Sequence, residues 1–282
     1  MFDELIPSDL QKVLWKHRAD ITSIMVIAEE PFIPWELIHL SAPGKPLSKE
    51  TRFLGQMGLV RWLHEAGWPP NQLRISKDKA RYVIPHYPHP DYVLPEAEKE
   101  YQFLEKEFTA KSVEPKSGVV RKLLSEPGSF DLLHFACHGV ADQGNIANAQ
   151  LLMEGRVEAG QYILDYFSAT TAEAHADLKS EGAAPIVVLN ACQAGRAGYK
   201  LTGIGGFARA FLRRGAGAFI GTLWSVGDSP ARAFTEEFYL RLKSGRTIAE
   251  AAVEAREKAR TDGDATWLAY VVYGHPHAKL NV

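Results

Sequence analysis

Residues 130–139 read FDLLHFACHG, and residues 185–195 read PIVVLNACQAG. Each is a short apolar run that stops at a chemically capable side chain, His138 in the first and Cys192 in the second. The runs are rich in Leu and β-branched residues and too short for helices, so they read as buried parallel strands, apolar on both faces. In such sheets, ligands sit beyond the carboxyl ends of the strands. Two neighbouring strands ending in His and Cys bring an imidazole and a thiol to one rim, which makes a nucleophile with its base.

The spacing agrees. Positions 138 and 192 lie 54 apart, and the caspase pattern Q-A-C-[RQG]-G has its histidine about 50 residues upstream. The block here, Asn190-Ala191-Cys192-Gln193-Ala194-Gly195, departs from that pattern at its first position and inserts Ala194 before the glycine. Gly139 follows His138, where a glycine lets its backbone N–H approach a substrate carbonyl closely. A single His or Cys at a strand end means little, because Cys is among the most buried residue types; the joint pattern carries the reading. Cys137 faces the opposite side of its strand from His138 by alternation and reads as core.

The remaining composition narrows the class. With 282 residues, 46 % hydrophobic and 23 % charged, the chain can bury a sizeable core, and long disorder is not expected. A net charge of −2 gives no bulk electrostatic case for direct binding to nucleic acid or to an anionic membrane. Two cysteines, Cys137 and Cys192, exclude a disulfide scaffold and suit a cytoplasmic compartment. No run reaches the roughly 18 apolar residues of a membrane span, and the acidic N-terminus does not read as a signal peptide.

In chain order, the pattern predicts a helix within residues 1–20 and strands at 21–28 and 58–63. Loop-like chain fills 41–56, and Pro- and aromatic-rich extended surface chain runs over 67–92 around a strand at 81–84. From Pro95, at a helix N1 position, the period becomes helical, with Ala97, Tyr101, Leu104 and Phe108 as the apolar face and Glu96, Glu98 and Glu100 favoured by the helix dipole. A strand near Val113 and a helix at 117–125 lead to the His138 strand. A polar loop at 139–148, a strand at 149–153 and helical segments at 160–167 and 171–181 lead to the Cys192 strand. Beyond it come a Gly-rich loop (195–206), a helix through Phe207 and Leu212, a strand at 218–224, helices from Asp228 and Thr247, and a strand at 267–273. The alternation of helix and strand after residue 95 is a doubly wound pattern. The chain reads as one domain, 1–282, with an N-terminal helix (1–20), N-terminal strands and loops (21–94) and a catalytic core (95–277).

At this point the sequence resembles the CHAT peptidases, caspase-like domains associated with tetratricopeptide repeats, within the caspase, metacaspase and separase superfamily. The resemblance runs from about residue 20 to 275. It covers IPWELIHL, FDLLHFACHG, VVLNACQAG, GGFARAFLRRGAGAFIGTLWSVGD, FYLRLKSGRTIAEAAVEAR and WLAYVVYG, in order. It implies an α/β caspase-like three-layer sandwich with a mainly parallel central sheet of about six strands flanked by helices. It also implies a cysteine endopeptidase with a Cys192–His138 dyad, and an oxyanion site made by the backbone N–H groups of Gly139 and Cys192. A regulated bacterial protease of antiviral defence or programmed cell death, acting on a protein substrate and switched by an activator or a repeat or sensor protein, is the role the resemblance suggests. A scaffold module with little turnover is the alternative from a different class.

For specificity, Asn190 shares a strand face with Cys192, and in the superfamily the residue there can line the pocket for the P1 side chain. The segment Trp224-Ser225-Val226-Gly227-Asp228 is similar to a separase block whose final Asp helps receive a P1 arginine, so Asp228 is a candidate for favouring Arg or Lys. The other reading has Asp228 or Ser229 capping a helix that begins at Pro230. Trp224 and Ser225 are candidate substrate-binding residues, with Trp224 equally readable as core. Neither metal nor cofactor is expected. A zinc set of His134, Cys137, His138 and Cys192 is split between strand faces. The Gly203–Ala208 match to G-x-G-x-x-A follows a long loop, where a dinucleotide site would follow directly on a strand.

Overall fold

The computed structural model describes residues 1–30, 33–44, 52–140, 149–179, 184–192, 204–224, 226–261 and 264–282. In chain order the elements are α1 (Phe2–Leu5), α2 (Ser8–Lys16), β1 (Ile24–Ala28), β2 (Leu59–Leu63), β3 (Gln72–Arg74), β4 (Ala80–Val83), α3 (Ala97–Phe108), β5 (Lys111–Ser112) and α4 (Ser117–Leu124). They continue as β6 (Leu132–Val140), β7 (Gln150–Leu152), β8 (Arg156–Glu158), β9 (Gln161–Ile163), β10 (Tyr166–Ser168), α5 (Ala169–His175), β11 (Ile186–Cys192) and α6 (Ile204–Arg213). The last are β12 (Ala218–Thr222), α7 (Asp228–Lys243), α8 (Ile248–Ala259), α9 (Thr266–Ala269), β13 (Tyr270–Tyr273) and β14 (Lys279–Asn281).

Among the described residues, one mixed sheet of ten strands runs β1-β2-β13-β12-β11-β6-β4-β5, with β7 paired to β6 and β10 to β7. The sequence suggested about six strands. The difference arises because β1 and β2, from the N-terminal stretch, join the same sheet beside β13, and β7 and β10 extend it past the end of β4. From β5 to β12 the backbone strands are parallel; β13 reverses direction against β12.

The two faces of the sheet differ. On one, Phe135, Phe167, Phe207, Phe211 and Phe219 form a stacked row with ring centroids 6.1–6.4 Å apart, continuous with α6. Each such ring buries a large apolar area, and offset stacking adds to it. The other face, under α3 and α7, carries buried His134 and Asn190. The two central strands are therefore not apolar on both faces.

Local chemistry explains the other departures. Pro7 splits the N-terminal helix in two. Helix α3 starts at Ala97 with Glu96 at its N-cap, leaving Pro95 outside the helix. The stretch 160–167 is not helical: Ala159 and Gly160 take left-handed φ of 49° and 77°, making a two-residue turn between β8 and β9. The start of the 267–273 stretch is helical instead of extended because Asp264 Oδ1 accepts from the Thr266 N–H at 2.7 Å, opening α9.

The N-terminal strands are held by ions. Arg61 on β2 forms a buried two-point pair with Glu36, its Nε at 2.8 Å from Oε1. Arg256 of α8, also buried, donates to the Gly55 carbonyl at 2.8 Å and the Tyr270 carbonyl at 3.0 Å. Burial pushes the Arg256 guanidinium down to about 10, and the charge of Glu36 opposes this. Removing one partner of a buried pair strands the other charge, so Glu36→Ala should cost about 3–5 kcal/mol in urea unfolding. A loss below about 1 kcal/mol would show that water reaches Arg61 and replaces the pair.

Candidate active site

Strands β6 and β11 pair in parallel through seven consecutive residues, from Leu132 opposite Ile186 to His138 opposite Cys192. The backbone therefore brings the two sequence-selected positions to the same level on adjacent strands. The side chain of Cys192 and the whole of Ser225 and Gly203 lie outside the described residues.

His138 is buried, and its surroundings define its chemistry. Nε2 lies 2.7 Å from the Tyr92 carbonyl oxygen. A carbonyl only accepts, so Nε2 carries the proton, and in the neutral ring the lone pair is on Nδ1. The Tyr87 hydroxyl accepts from the His138 backbone N–H at 3.1 Å and donates to the Leu152 carbonyl at 2.7 Å. The Tyr87 and Tyr92 rings pack against the imidazole at 5.0 and 5.7 Å between centroids. Burial, reinforced by Cys137, pushes the Tyr87 phenol well up, so it remains a protonated donor. The extended stretch before α3 is thus not merely surface chain: two of its aromatics build the histidine's wall.

Gly139 is the next residue on β6, opposite Leu151 of β7. Cys137 is a free thiol, fully buried, and burial pushes its ionisation up strongly. That is the behaviour of an inert core residue. Both ring nitrogens of His134 are engaged by protein partners, Tyr239 and Glu100.

Asn190 and Asp228 come together. With Leu94, Glu96, Ala97, Glu100, Ala136 and Ala231 they line one narrow cleft with about 10 Å³ of room, enough for roughly one water. Asn190 donates through Nδ2 to Glu100 Oε1 at 2.7 Å and accepts at Oδ1 from the Tyr270 hydroxyl at 2.8 Å. Asp228 is the first residue of α7. The N-cap is Gly227, with no side-chain cap bond, so neither Asp228 nor Ser229 caps a helix beginning at Pro230. Trp224 is buried in the main core and does not line the cleft.

Glu100, Tyr87 and Tyr92 were not selected from the sequence. For Glu100 the signal was present: it sits on the same helical stripe as Ala97, Leu104 and Phe108, all buried, and a carboxylate on a buried stripe marks an unusual site.

The sequence matches the CHAT domain family over residues 32–275. The chain belongs to this family. No curated protein matches it in sequence. Among solved structures, the separase of the Saccharomyces cerevisiae separase–securin complex aligns with a TM-score of 0.52 at 18 % identity, covering 88 % of this chain and 15 % of that one. The Arg-specific cysteine proteinase gingipain R aligns with a TM-score of 0.56 at 13 % identity, covering 96 % and 67 %. The complex of the pro- and mature domains of RgpB from Porphyromonas gingivalis gives 0.54 at 14 %, covering 96 % and 68 %. This CHAT chain therefore has the α/β fold of caspase-like cysteine proteases and spans about 15 % of the separase chain it matches. No described helix is long and apolar enough to cross a membrane.

Burial raises the pKa of Asp228; His138 opposes the shift, and Glu100 and Glu96 add to it. A carboxyl whose folded pKa is raised favours the fold when protonated, and that stability is lost as pH rises through its folded pKa. Asp228→Asn should therefore melt above wild type at neutral pH, with the difference vanishing below about pH 4, the ordinary aspartate range. Thermal melts across this window check it; an equal or lower melting temperature at neutral pH would mean that Asp228 makes a compensating contact when ionised.

Proposed function

We propose that the chain is a cysteine endopeptidase that cuts a protein target with Cys192 as nucleophile and His138 as base and then acid. The observation that carries this reading is the pairing of positions 138 and 192 across β6 and β11, with the Tyr92 carbonyl holding the imidazole proton on Nε2. The Nδ1 lone pair is then the basic site.

In the first step the Cys192 thiol gives its proton to His138 Nδ1, and the thiolate attacks the scissile carbonyl carbon. The carbonyl oxygen becomes an oxyanion, for which the backbone N–H groups of Gly139 and Cys192 are the proposed donors. Collapse breaks the C–N bond, and the leaving amine takes the proton from His138. A water, deprotonated by His138, then attacks the thioester; the acid product leaves and the thiol is restored.

Asn190 and Asp228 are the proposed contacts for the P1 side chain, which requires their one-water cleft to widen on binding; Ser225 lies three residues before Asp228 in sequence. A basic P1 residue would offset the charge of Asp228, whose ionisation the fold disfavours. Gingipain R, with the same fold, is an Arg-specific proteinase. Trp224 is buried in the core. The proposed setting is a protease switched by an activator or by a repeat or sensor protein, serving antiviral defence or cell death in bacteria. The resemblance of the sequence blocks supports that setting.

The test is digestion of a diverse peptide mixture read by mass spectrometry. Cys192→Ala should abolish the cuts, and His138→Ala should slow them by about 10²–10⁴-fold. Asp228→Asn should reduce cuts after Arg and Lys more than any others. Wild-type cuts that persist in Cys192→Ala would overturn the assignment of the nucleophile.

A further inference from the structure

Beneath the cleft, five side chains form one hydrogen-bonded chain. The Tyr239 hydroxyl lies 3.0 Å from His134 Nδ1, and His134 Nε2 lies 2.9 Å from Glu100 Oε2. On the other side, Glu100 Oε1 accepts from Asn190 Nδ2, and Asn190 Oδ1 accepts from the Tyr270 hydroxyl. All five are buried. An ionised carboxylate only accepts, so every proton in this assignment points toward Glu100: Tyr239 donates to His134, His134 to Glu100, Tyr270 to Asn190, and Asn190 to Glu100. Burial, with the charge of Glu100 added, keeps the Tyr239 phenol protonated.

We propose that Glu100 is a positioning residue for the candidate site, tying Asn190 on the Cys192 strand to His134 on the His138 strand and fixing which way the Asn190 carboxamide is turned. The proposal rests on the peptidase reading above. Glu100 reaches both strands from α3, four residues before His138 on one and two before Cys192 on the other. A carboxamide is nearly symmetrical in shape, so only its partners decide which end is N–H. The acceptor-only carboxylate decides it here. A neutral amide at position 100 would permit the flip, because the Tyr270 hydroxyl also has the Ala231 carbonyl within 3.2 Å as an alternative acceptor. A fully satisfied buried network rigidifies what it connects. A buried polar network can often be replaced as a whole by apolar packing without loss of stability, which fits a role for this one in placing groups at the cleft.

The test uses Glu100→Gln, Tyr270→Phe and the double variant in the full chain. Glu105→Gln serves as the control: it neutralises a carboxylate of the same helix that accepts a 2.7 Å bond from Tyr82 of β4, outside the cleft. Peptide kcat and KM are read per mole of reactive Cys192, counted by alkylation with iodoacetamide and mass spectrometry. Glu100→Gln should lower kcat/KM by about ten-fold, the scale of one charge-assisted hydrogen bond. Tyr270→Phe should lower it less, and the double variant should lose no more than Glu100→Gln, because both act through Asn190. Glu105→Gln should leave kcat/KM within two-fold. Unchanged kcat/KM in Glu100→Gln, with only a lower melting temperature, would overturn the proposal in favour of a purely structural network; so would additive losses. If wild type cleaves nothing even with the proteins of its genomic neighbourhood added, the peptidase reading fails by itself, and the alkylation rate at Cys192 decides the positioning. A slowing of three-fold or more in Glu100→Gln supports it, and an unchanged rate overturns it.

Discussion

The parallel ladder between β6 and β11 is the constraint on which the site depends. Seven in-register pairs end at His138 and Cys192. A slip of one residue would turn every side chain of one strand to the other face. It would set Cys137 or Ala191 where the chemistry needs 138 and 192, and it would drive His134 or Asn190 into the phenylalanine row. The register is thus specified from both faces at once. Apolar rings reject polar groups on one side, and fixed hydrogen-bond partners reject apolar groups on the other.

Much of this was legible because buried parallel strands are short, apolar and abruptly terminated, and a His and a Cys at two such ends are hard to miss. What the local pattern hid was anything assembled across elements. Glu100 read as a first-turn acid placed for the helix dipole, because it follows Glu96 and Glu98; only the tertiary packing of α3 turns that one carboxylate inward. Tyr87 and Tyr92 lie in proline-rich chain with no period, so nothing local distinguishes a ring facing solvent from one packed on an imidazole. Asp228 misled in the opposite direction. Asp before Ser-Pro is a strong cap signal, but the helix begins at Asp228 itself and Gly227 occupies the cap position. The hairpin at residues 156–163 was missed for want of an Asn-Gly or Asp-Gly turn; Ala159 accepts the left-handed conformation instead.

The N-terminal strands change the meaning of β13. Were the sheet to stop there, β13 would be an edge, with unpaired backbone groups open to any other strand. Here Tyr273 pairs with Arg61 of β2, and β1 lies outside β2, so the chain closes that edge with its own residues. The closure is fastened by buried charge: Arg61 to Glu36, and Arg256 to the carbonyls of Gly55 and Tyr270. Tyr270 belongs to both systems. Its carbonyl is gripped by Arg256 and its hydroxyl holds Asn190.

That double use gives the sheet a division of labour. The phenylalanine face contributes dispersion and burial, which are tolerant of small displacements because no single contact is directional. The opposite face packs rings too, Phe234 stacking on Tyr270 at 3.7 Å between centroids, but its hydrogen bonds are directional and end on one carboxylate, so a small displacement of any member misaligns several of them. A site that must hold an imidazole, a thiol and a substrate pocket in fixed relation needs the second kind of interaction, although the first is cheaper for stability. The apolar face is what allows the polar one to exist: with the register already secured by the rings, a buried charge can be carried under the cleft without unfolding the strands that surround it.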